Sequence, residues 1–587
     1  MRLSPRGLLG ARFAAAAAQL WADTPYSVEL VTQDVVMSDR HRRLFDDYSG
    51  DLSGRWIEAA ALAGHHGVPG DPGKLDAVVR RVLATQRSGG GFGLERPAAA
   101  TDHGMAWGNG RLLSGLLTLA EHGPKRLRSS ARSAARPLAE HLEESVPRWT
   151  AWLADGGNGE LKFALDCLSA LEPLARMQRA GDRRARLAAQ RLAAAAGSAY
   201  GPHHMHGHLL AQRGALELAA AVGDREAIEA IEDRWREVHD RHLLHHGGVP
   251  ESLRMPREAN TETCGIADWV MLSVRLNEVT GESHYLDAAE RSLYNALLHA
   301  QRPSGHFGCE TLCDDPGLLT FDYAPEAWWC CTFHGIRALH EVAASAVRGR
   351  ADGVEVALLV DGDAQVEAGG VPVSVRVRTR YPHEGLAVLE LEAEVPAEIE
   401  LRVRVPGVAL LGRLAVDGRP VEPVVERSFA VVPVAVGPRQ TRVELELELP
   451  VSLLSGGTQA FSPHGNSTDA VGLLSERPAS ILAGPLVLAA DAAHNPLEDV
   501  LRARAFVIRA AGDRFELDGP RPSVTALGHD TFRAPLVLAP LCDQQSYDAD
   551  VTSRYVFARA HVEGAGVARR LVSDPPPAAI HAEGEGR

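Results

Sequence analysis

Residues 336–347 read IRALHEVAASAV and residues 371–378 read VPVSVRVR, and the change of period between them decides the fold. In the first stretch apolar residues recur every three to four positions, as on one face of a helix. In the second they alternate with polar or charged residues, as along a strand with one packed face and one wet face. The helical spacing extends back from Val347 to about residue 50, through GRWIEAAALA (54–63), Leu75 to Gln86, Arg111 to His122 and Leu161 to Met177. Roughly eleven or twelve such segments can be counted, and many are rich in Ala and Leu along their whole length, which suits helices packed on more than one side. Beyond Arg350 the alternation returns in Leu389 to Val395 and Val443 to Leu449, with Pro and Gly between, as in a β-sandwich.

Three helical segments end in the same punctuation: Gly181-Asp182, Gly223-Asp224 and Gly281-Glu282. A glycine closes a helix in the left-handed conformation, and the acid that follows favours the start of the next. The marks stand 42 and 58 residues apart, the length of a helix pair with a variable loop. A solenoid would show one fixed period, so the variable loops favour a closed (α/α)6 barrel. The expected organisation is multi-domain, α then β. It comprises a helical lead-in (1–49), an (α/α)6-barrel catalytic domain (50–350), a β-sandwich (351–460), a second β-sandwich (478–565) and a disordered tail (566–587).

The chain has 587 residues and a net charge of −15, which disfavours partners that offer phosphates, so neither a nucleic acid nor a membrane surface is expected. No apolar run reaches the length of a membrane span. Arg12 interrupts the alanine-rich N-terminus, which reads as a first helix rather than a signal peptide. Seven cysteines are too few for a disulfide scaffold and suit a reducing compartment, so a cytoplasmic location is expected. All nine Trp lie at or before Trp329, as do 17 of the 25 His, which places the chemistry in the helical half.

Glu262-Thr263-Cys264 precedes one strong helical pattern, and Trp328-Trp329-Cys330-Cys331 precedes another. Three thiolates and a carboxylate make a full tetrahedral donor set for zinc, and a helix N-terminus helps keep thiolates ionised. Four protein ligands ordinarily mean a structural zinc; alternatively one thiolate serves as both ligand and nucleophile. Elsewhere, Trp329 and Trp107 are candidates to stack on a substrate ring. In the run His203, His204, His206 and His208, the second and last share a helix face. Cys309 and Cys313 read as packing thiols, as do Cys167 and Cys542.

E-T-C followed by a C-C pair at a helix start, behind a helical barrel, resembles glycoside hydrolase family 127, the β-L-arabinofuranosidases and their relatives. Trp56-Ile57-Glu58-Ala59, Leu83-Ala84-Thr85-Gln86 with Gly89-Gly90-Gly91, the run from Cys330 to Arg337, and Gly484-Pro485-Leu486-Val487 are similar to family elements. The resemblance spans about residues 50 to 560 and implies a retaining, zinc-dependent cysteine glycosidase. Cys330 would be the nucleophile, with Glu262, Cys264 and Cys331 completing the zinc shell. Glu251, in Gly247-Gly248-Val249-Pro250-Glu251, would be the acid/base, with Glu258 as fallback. His204, His206, Trp107, Trp329 and His334 would contact a carbohydrate substrate, and a homodimer is a possible assembly. Two alternatives are a non-catalytic carbohydrate-binding or scaffold protein with a structural zinc, and another (α/α)6 glycosidase or lyase that works with carboxylates.

Overall fold

The computed structural model describes residues 3–36, 48–93, 103–154, 165–179, 181–198, 204–251, 260–313, 318–321, 326–455, 478–511, 514–517, 522–529, 531–544, 554–555, 558–563 and 571–572. The helical part contains α1 (Gly7–Gln19), α2 (Val28–Val31), α3 (Asp51–His65), α4 (Pro72–Leu83), α5 (His103–His122), α6 (Lys125–Ala154), α7 (Leu171–Arg179) and α8 (Arg183–Ser198). It continues with α9 (Met205–Val222), α10 (Arg225–Arg241), α11 (Thr263–Thr280), α12 (His284–Arg291), α13 (Leu298–Ala300) and α14 (Cys331–Ala346). The expected punctuation is present. Gly223 and Gly281 cap α9 and α11 in the left-handed conformation, and the Asp224 carboxylate accepts the Ala227 N–H at the start of α10.

The helices sort into two classes by burial. Thirteen of the fifteen residues of α3 and fourteen of the sixteen of α14 are buried, whereas α10 buries only Ile228, Ile231, Trp235 and Val238. A helix buried all round must have neighbours on every side, and one with a single apolar stripe covers it from outside. The packing bears this out: α3 lies on α5, α5 on α7, α7 on α9, α9 on α11, α11 on α14, and α14 back on α3. Each of these six carries an outer partner: α4, α6, α8, α10, α12 and α1 in that order. The closest approach is between α3 and α5. A Cβ on Gly54 would stand 2.5 Å from the Leu112 backbone, and one on Gly115 would stand 2.3 Å from the Gly54 carbonyl, so both positions need glycine.

The strands are β1 (Ser4–Pro5), β2 (Asn260–Glu262), β3 (Cys309–Cys313), β4 (Leu318–Phe321), β5 (Val347–Gly349), β6 (Gly353–Val356), β7 (Gly362–Ala368), β8 (Val371–Thr379) and β9 (Leu386–Ala393). Next come β10 (Ala397–Arg404), β11 (Leu410–Val416), β12 (Arg419–Pro420), β13 (Val424–Glu426), β14 (Phe429–Val436), β15 (Thr441–Glu448), β16 (Val451–Ser455), β17 (Pro478–Ala483) and β18 (Leu486–Asp491). Among the described residues one sheet runs β1-β7-β8-β9-β15-β11-β12 and a second runs β13-β14-β10-β6-β5. The alternation read from sequence holds: Val373, Val375, Val377, Leu389, Leu391, Val443 and Leu445 are buried, and the polar residues between them point the other way. Arg404 of β10 ties this region to the helices through Asp287 (2.6 Å) and Glu290 (3.0 Å) of α12.

A third sheet joins the two halves, which the sequence pattern did not suggest. Its strands β17 and β18 continue, through Arg554–Tyr555, into β4, β3 and β2, so it reaches Glu262, two residues before Cys264. Pro485 and Val487, around the turn at Gly484, clasp the Asn295 amide at 2.9 and 2.7 Å. A two-residue strand at Ala539–Pro540 is followed by a 3-10 turn at Leu541–Asp543. No described helix is long and apolar enough to cross a membrane.

Candidate active site

The inner helices begin at one common end, and the candidate residues gather there. Glu262 ends β2 and stands immediately before α11, with extended backbone (φ −107°, ψ 134°), and Cys264 is the second residue of that helix. Cys330 occupies the N-cap of α14 and Cys331 its first position. His204 is the N-cap of α9, tied to the Glu251 segment by the Met205 N–H donating to the Glu251 carbonyl at 2.8 Å. The N-termini of α11 and α14 both meet at the cluster, and helix N-termini favour negative charge.

Glu262, Cys264, Cys330 and Cys331, 69 residues apart at the extremes, bring their donor atoms within 4.8 Å of one another. Cys331 Sγ lies 3.8 Å from Cys264 Sγ and 3.6 Å from Cys330 Sγ, and Glu262 Oε1 lies 3.7 Å from Cys330 Sγ and 3.6 Å from Cys331 Sγ. With metal–sulfur bonds of about 2.3 Å and metal–oxygen bonds of about 2.0 Å, a regular tetrahedron has S–S edges of about 3.8 Å and S–O edges of about 3.5 Å. Four of the six edges of the cluster therefore match those of a tetrahedral donor set. The second Glu262 oxygen is buried without a hydrogen-bond partner, and the three cysteines are unbridged. Stripped of a cation, such a set is costly to ionise: burial, then the neighbouring Cys264 and Glu251, push the Glu262 carboxyl well up, and burial does the same to the Cys264 thiol. Cys330 is the exception. Hydrogen bonds from Cys264 and Cys331 to its sulfur draw its thiol below the usual value. It is also the only one of the three that solvent reaches, Cys264 and Cys331 being fully buried.

A charged floor supports the cluster. Arg55 of α3, 3 % exposed, donates to Asp51 at 2.7 Å and to His206 Nε2 at 3.2 Å and sets its third nitrogen 3.9 Å from Cys264 Sγ. Arg111 also donates to His206 Nε2, at 2.8 Å, so the His206 Nδ1–H donates to the Asp268 carboxylate. Asp268 further accepts from His334 (3.0 Å) and Arg213 (2.9 Å). Burial opposes ionisation of Asp268, but His334 and His206 beside it hold its carboxyl well below the carboxylate range. Burial keeps His334 neutral, pulling it to about 4, and lowers His206 as well. From Arg213 the network runs on to Glu172, Arg337 and Glu58, a buried line of alternating charges through the ring.

The residues expected to touch substrate fall into two groups. His204 and Glu251 bring ligand atoms within 4.8 Å of each other and of Glu262, all three partly open to solvent. Trp329 is half-buried beside Cys330 and stands edge-on to Trp328 at 5.5 Å. Trp107, His206 and His334, by contrast, are 4 %, 2 % and 2 % exposed. Trp107 donates its N–H to Asp51 at 2.9 Å, and the two histidines are committed to the floor. Glu258, Asp322 and Tyr323 lie outside the described residues, as do the side chains of Cys167, Cys309 and Cys313. Arg55, Arg111 and Asp268 were missed by sequence reasoning. Their signal was a charge inside an otherwise apolar helix, as Asp268 stands within GIADWVML.

Residues 191–344 match the family model described as beta-L-arabinofuranosidase, GH127 catalytic domain. The fold is similar to that of a GH127 beta-L-arabinofuranosidase from Geobacillus stearothermophilus T6, with 16% identity, a TM-score of 0.73, and 96% of this chain and 100% of that one covered. A second GH127 beta-arabinofuranosidase matches with 16% identity and a TM-score of 0.68, covering 95% and 97% of the two chains. A further structure described as a glycoside hydrolase matches with 17% identity and a TM-score of 0.69, covering 95% and 98%. No curated protein matches the chain.

Proposed function

We propose, from the premise that this chain is a glycoside hydrolase with a family 127 catalytic domain over residues 191–344, that it is a retaining enzyme whose nucleophile is the Cys330 thiolate. The observation that carries this reading is the exposure of Cys330 alone among the three thiols of a thiol–carboxylate cluster. The frame is an (α/α)6 barrel, in which the closed circuit of six buried helices forms the inner wall, followed by β-sandwich modules. Its substrate is a β-L-arabinofuranoside or a related glycoside, the class named for the neighbours of similar fold.

Glu262, Cys264, Cys330 and Cys331 would hold zinc, which when bound keeps the thiolate ionised at neutral pH. Cys330 Sγ attacks the anomeric carbon, forming a C–S bond as the glycosidic C–O bond breaks. Glu251 gives its proton to the leaving oxygen. It then takes a proton from water as the water oxygen displaces the sulfur, returning the thiolate and retaining the anomeric configuration. His204 and Trp329 bind the sugar, while Trp107, His206 and His334 orient the floor beneath it.

The test is a set of aryl pentofuranosides and related glycosides assayed with wild type, Cys330→Ser and Glu251→Gln, alongside metal analysis. The nucleophile variant should lose about 10³-fold or more in kcat/KM, and Glu251→Gln about 10²- to 10⁴-fold. Mass spectrometry of wild type quenched during turnover should show one glycosyl group on the Cys330 peptide. Full activity in Cys330→Ser would sink the proposal and move the chemistry to the carboxylates of Glu251 and Glu262. Four protein ligands also fit a structural zinc; in that case zinc removal unfolds the chain and no glycoside turns over.

A further inference from the structure

We propose that His383, Cys542 and Asp543 form a second metal site, remote in sequence from the first, that takes a divalent cation of the zinc class. Their donor atoms lie within 4.8 Å of one another. An imidazole nitrogen, a thiolate and a carboxylate are three of the donor types zinc prefers. Cys542 and Asp543 together would contribute two negative charges, which balances a dication without a surplus. The side chains of His383 and Asp543 are 32 % and 44 % exposed while Cys542 is fully buried, so an ion held there has protein on one side and water on the other. That arrangement leaves a fourth position for a water molecule.

The three donors sit on anchored backbone. His383 lies in the β8–β9 turn, its N–H donating to the Arg380 carbonyl at 3.0 Å, and the nearby Tyr381 hydroxyl donates to Glu290 at 3.0 Å. On the other side, Arg12 of α1 donates to the Cys542 carbonyl at 2.6 Å, and His299 bonds the Leu541 carbonyl at 3.1 Å. Gln544 donates to the Ala489 and Ala539 carbonyls at 2.8 and 2.7 Å. His383 Nε2 and Asp543 already meet at 2.9 Å. A cation there would clip the first sheet to the C-terminal segment, 160 residues away, beside the N-terminal helix.

The experiment uses the full chain, saturated with zinc and freed of excess metal by gel filtration, in wild type, His383→Ala and Asp543→Asn. Both substitutions are at partly exposed positions, and circular dichroism checks that the fold is kept. Wild type should hold one more zinc per chain than either variant. In a separate preparation loaded with a single equivalent of zinc, which fills the four-ligand cluster, added cobalt(II) should give a thiolate-to-cobalt charge-transfer band that is absent from His383→Ala treated in the same way. Equal metal content and equal spectra in all three proteins would overturn the proposal and leave a surface ion pair beside a packing thiol.

Discussion

At the scale of single residues, Arg55 carries the most easily tested role. Among the described residues it is the cation placed against the thiol cluster, and it is held by Asp51 and His206. Groups that contact metal ligands tune affinity even though they never touch the ion. Arg55→Met should therefore weaken zinc binding roughly 10- to 100-fold in a chelator competition, while thermal unfolding of the zinc-saturated protein stays cooperative. An unchanged affinity would show that Arg55 serves packing alone. The four residues that cluster were legible in the sequence because E-T-C and C-C are short, local and built of rare residues. Arg55 and Asp268 were not: a single charge in an apolar helix looks the same whether it faces a partner or water until the opposing helix is known. His206 illustrates the converse, since its sequence neighbourhood suggested a sugar contact while its two nitrogens are taken by Arg55, Arg111 and Asp268.

At the scale of elements, α3 depends on a carboxylate from outside the helix. Asp34 accepts the N–H groups of Gly50 and Ser53 at 3.0 Å each and the Ser53 hydroxyl at 3.2 Å, at the start of α3. Burial nevertheless raises its carboxyl to about 7, against the pull of those hydrogen bonds. A carboxyl that binds its proton more tightly folded than unfolded makes the protein lose stability as pH rises from near 4 to about 7. Asp34→Asn should flatten the urea-unfolding free energy across that window, where wild type falls by a few kcal/mol from this group; an equally steep fall in the variant would show that other groups carry the dependence. Helix ends at Gly223-Asp224 and Gly281 were readable because their chemistry is local. The β2–β4 strands were not, because three- to five-residue strands take their identity from partners such as Arg554–Tyr555, over two hundred residues further on.

At the scale of the whole molecule, the buried line of charges through the ring is a stability element as well as a floor. Arg337, 4 % exposed, pairs with Glu172 and Glu58 and joins α14 to α7 and α3. Removing it takes away the cation between two buried carboxylates and leaves Glu172 to Arg213 and Glu58 to the Ser114 and Thr118 hydroxyls, so Arg337→Met should cost about 3 kcal/mol in chemical denaturation, with part restored by adding Glu172→Gln. If the single variant matches wild type, the ring is held by apolar packing alone. The closed circuit was foreseeable from the variable spacing of the helix pairs, whereas the contact of α14 with α3 that closes it was not, because it joins the first and last members of the circuit. That contact sets an order of events during biosynthesis. The helix that supplies Cys330 and Cys331 is the last inner one to leave the ribosome, and the strand that ends at Glu262 pairs with Cys309–Cys313, which leave shortly before it. Until that helix has emerged the nascent chain lacks two of the four clustered residues, so the cluster assembles only in a chain that already carries the whole inner ring.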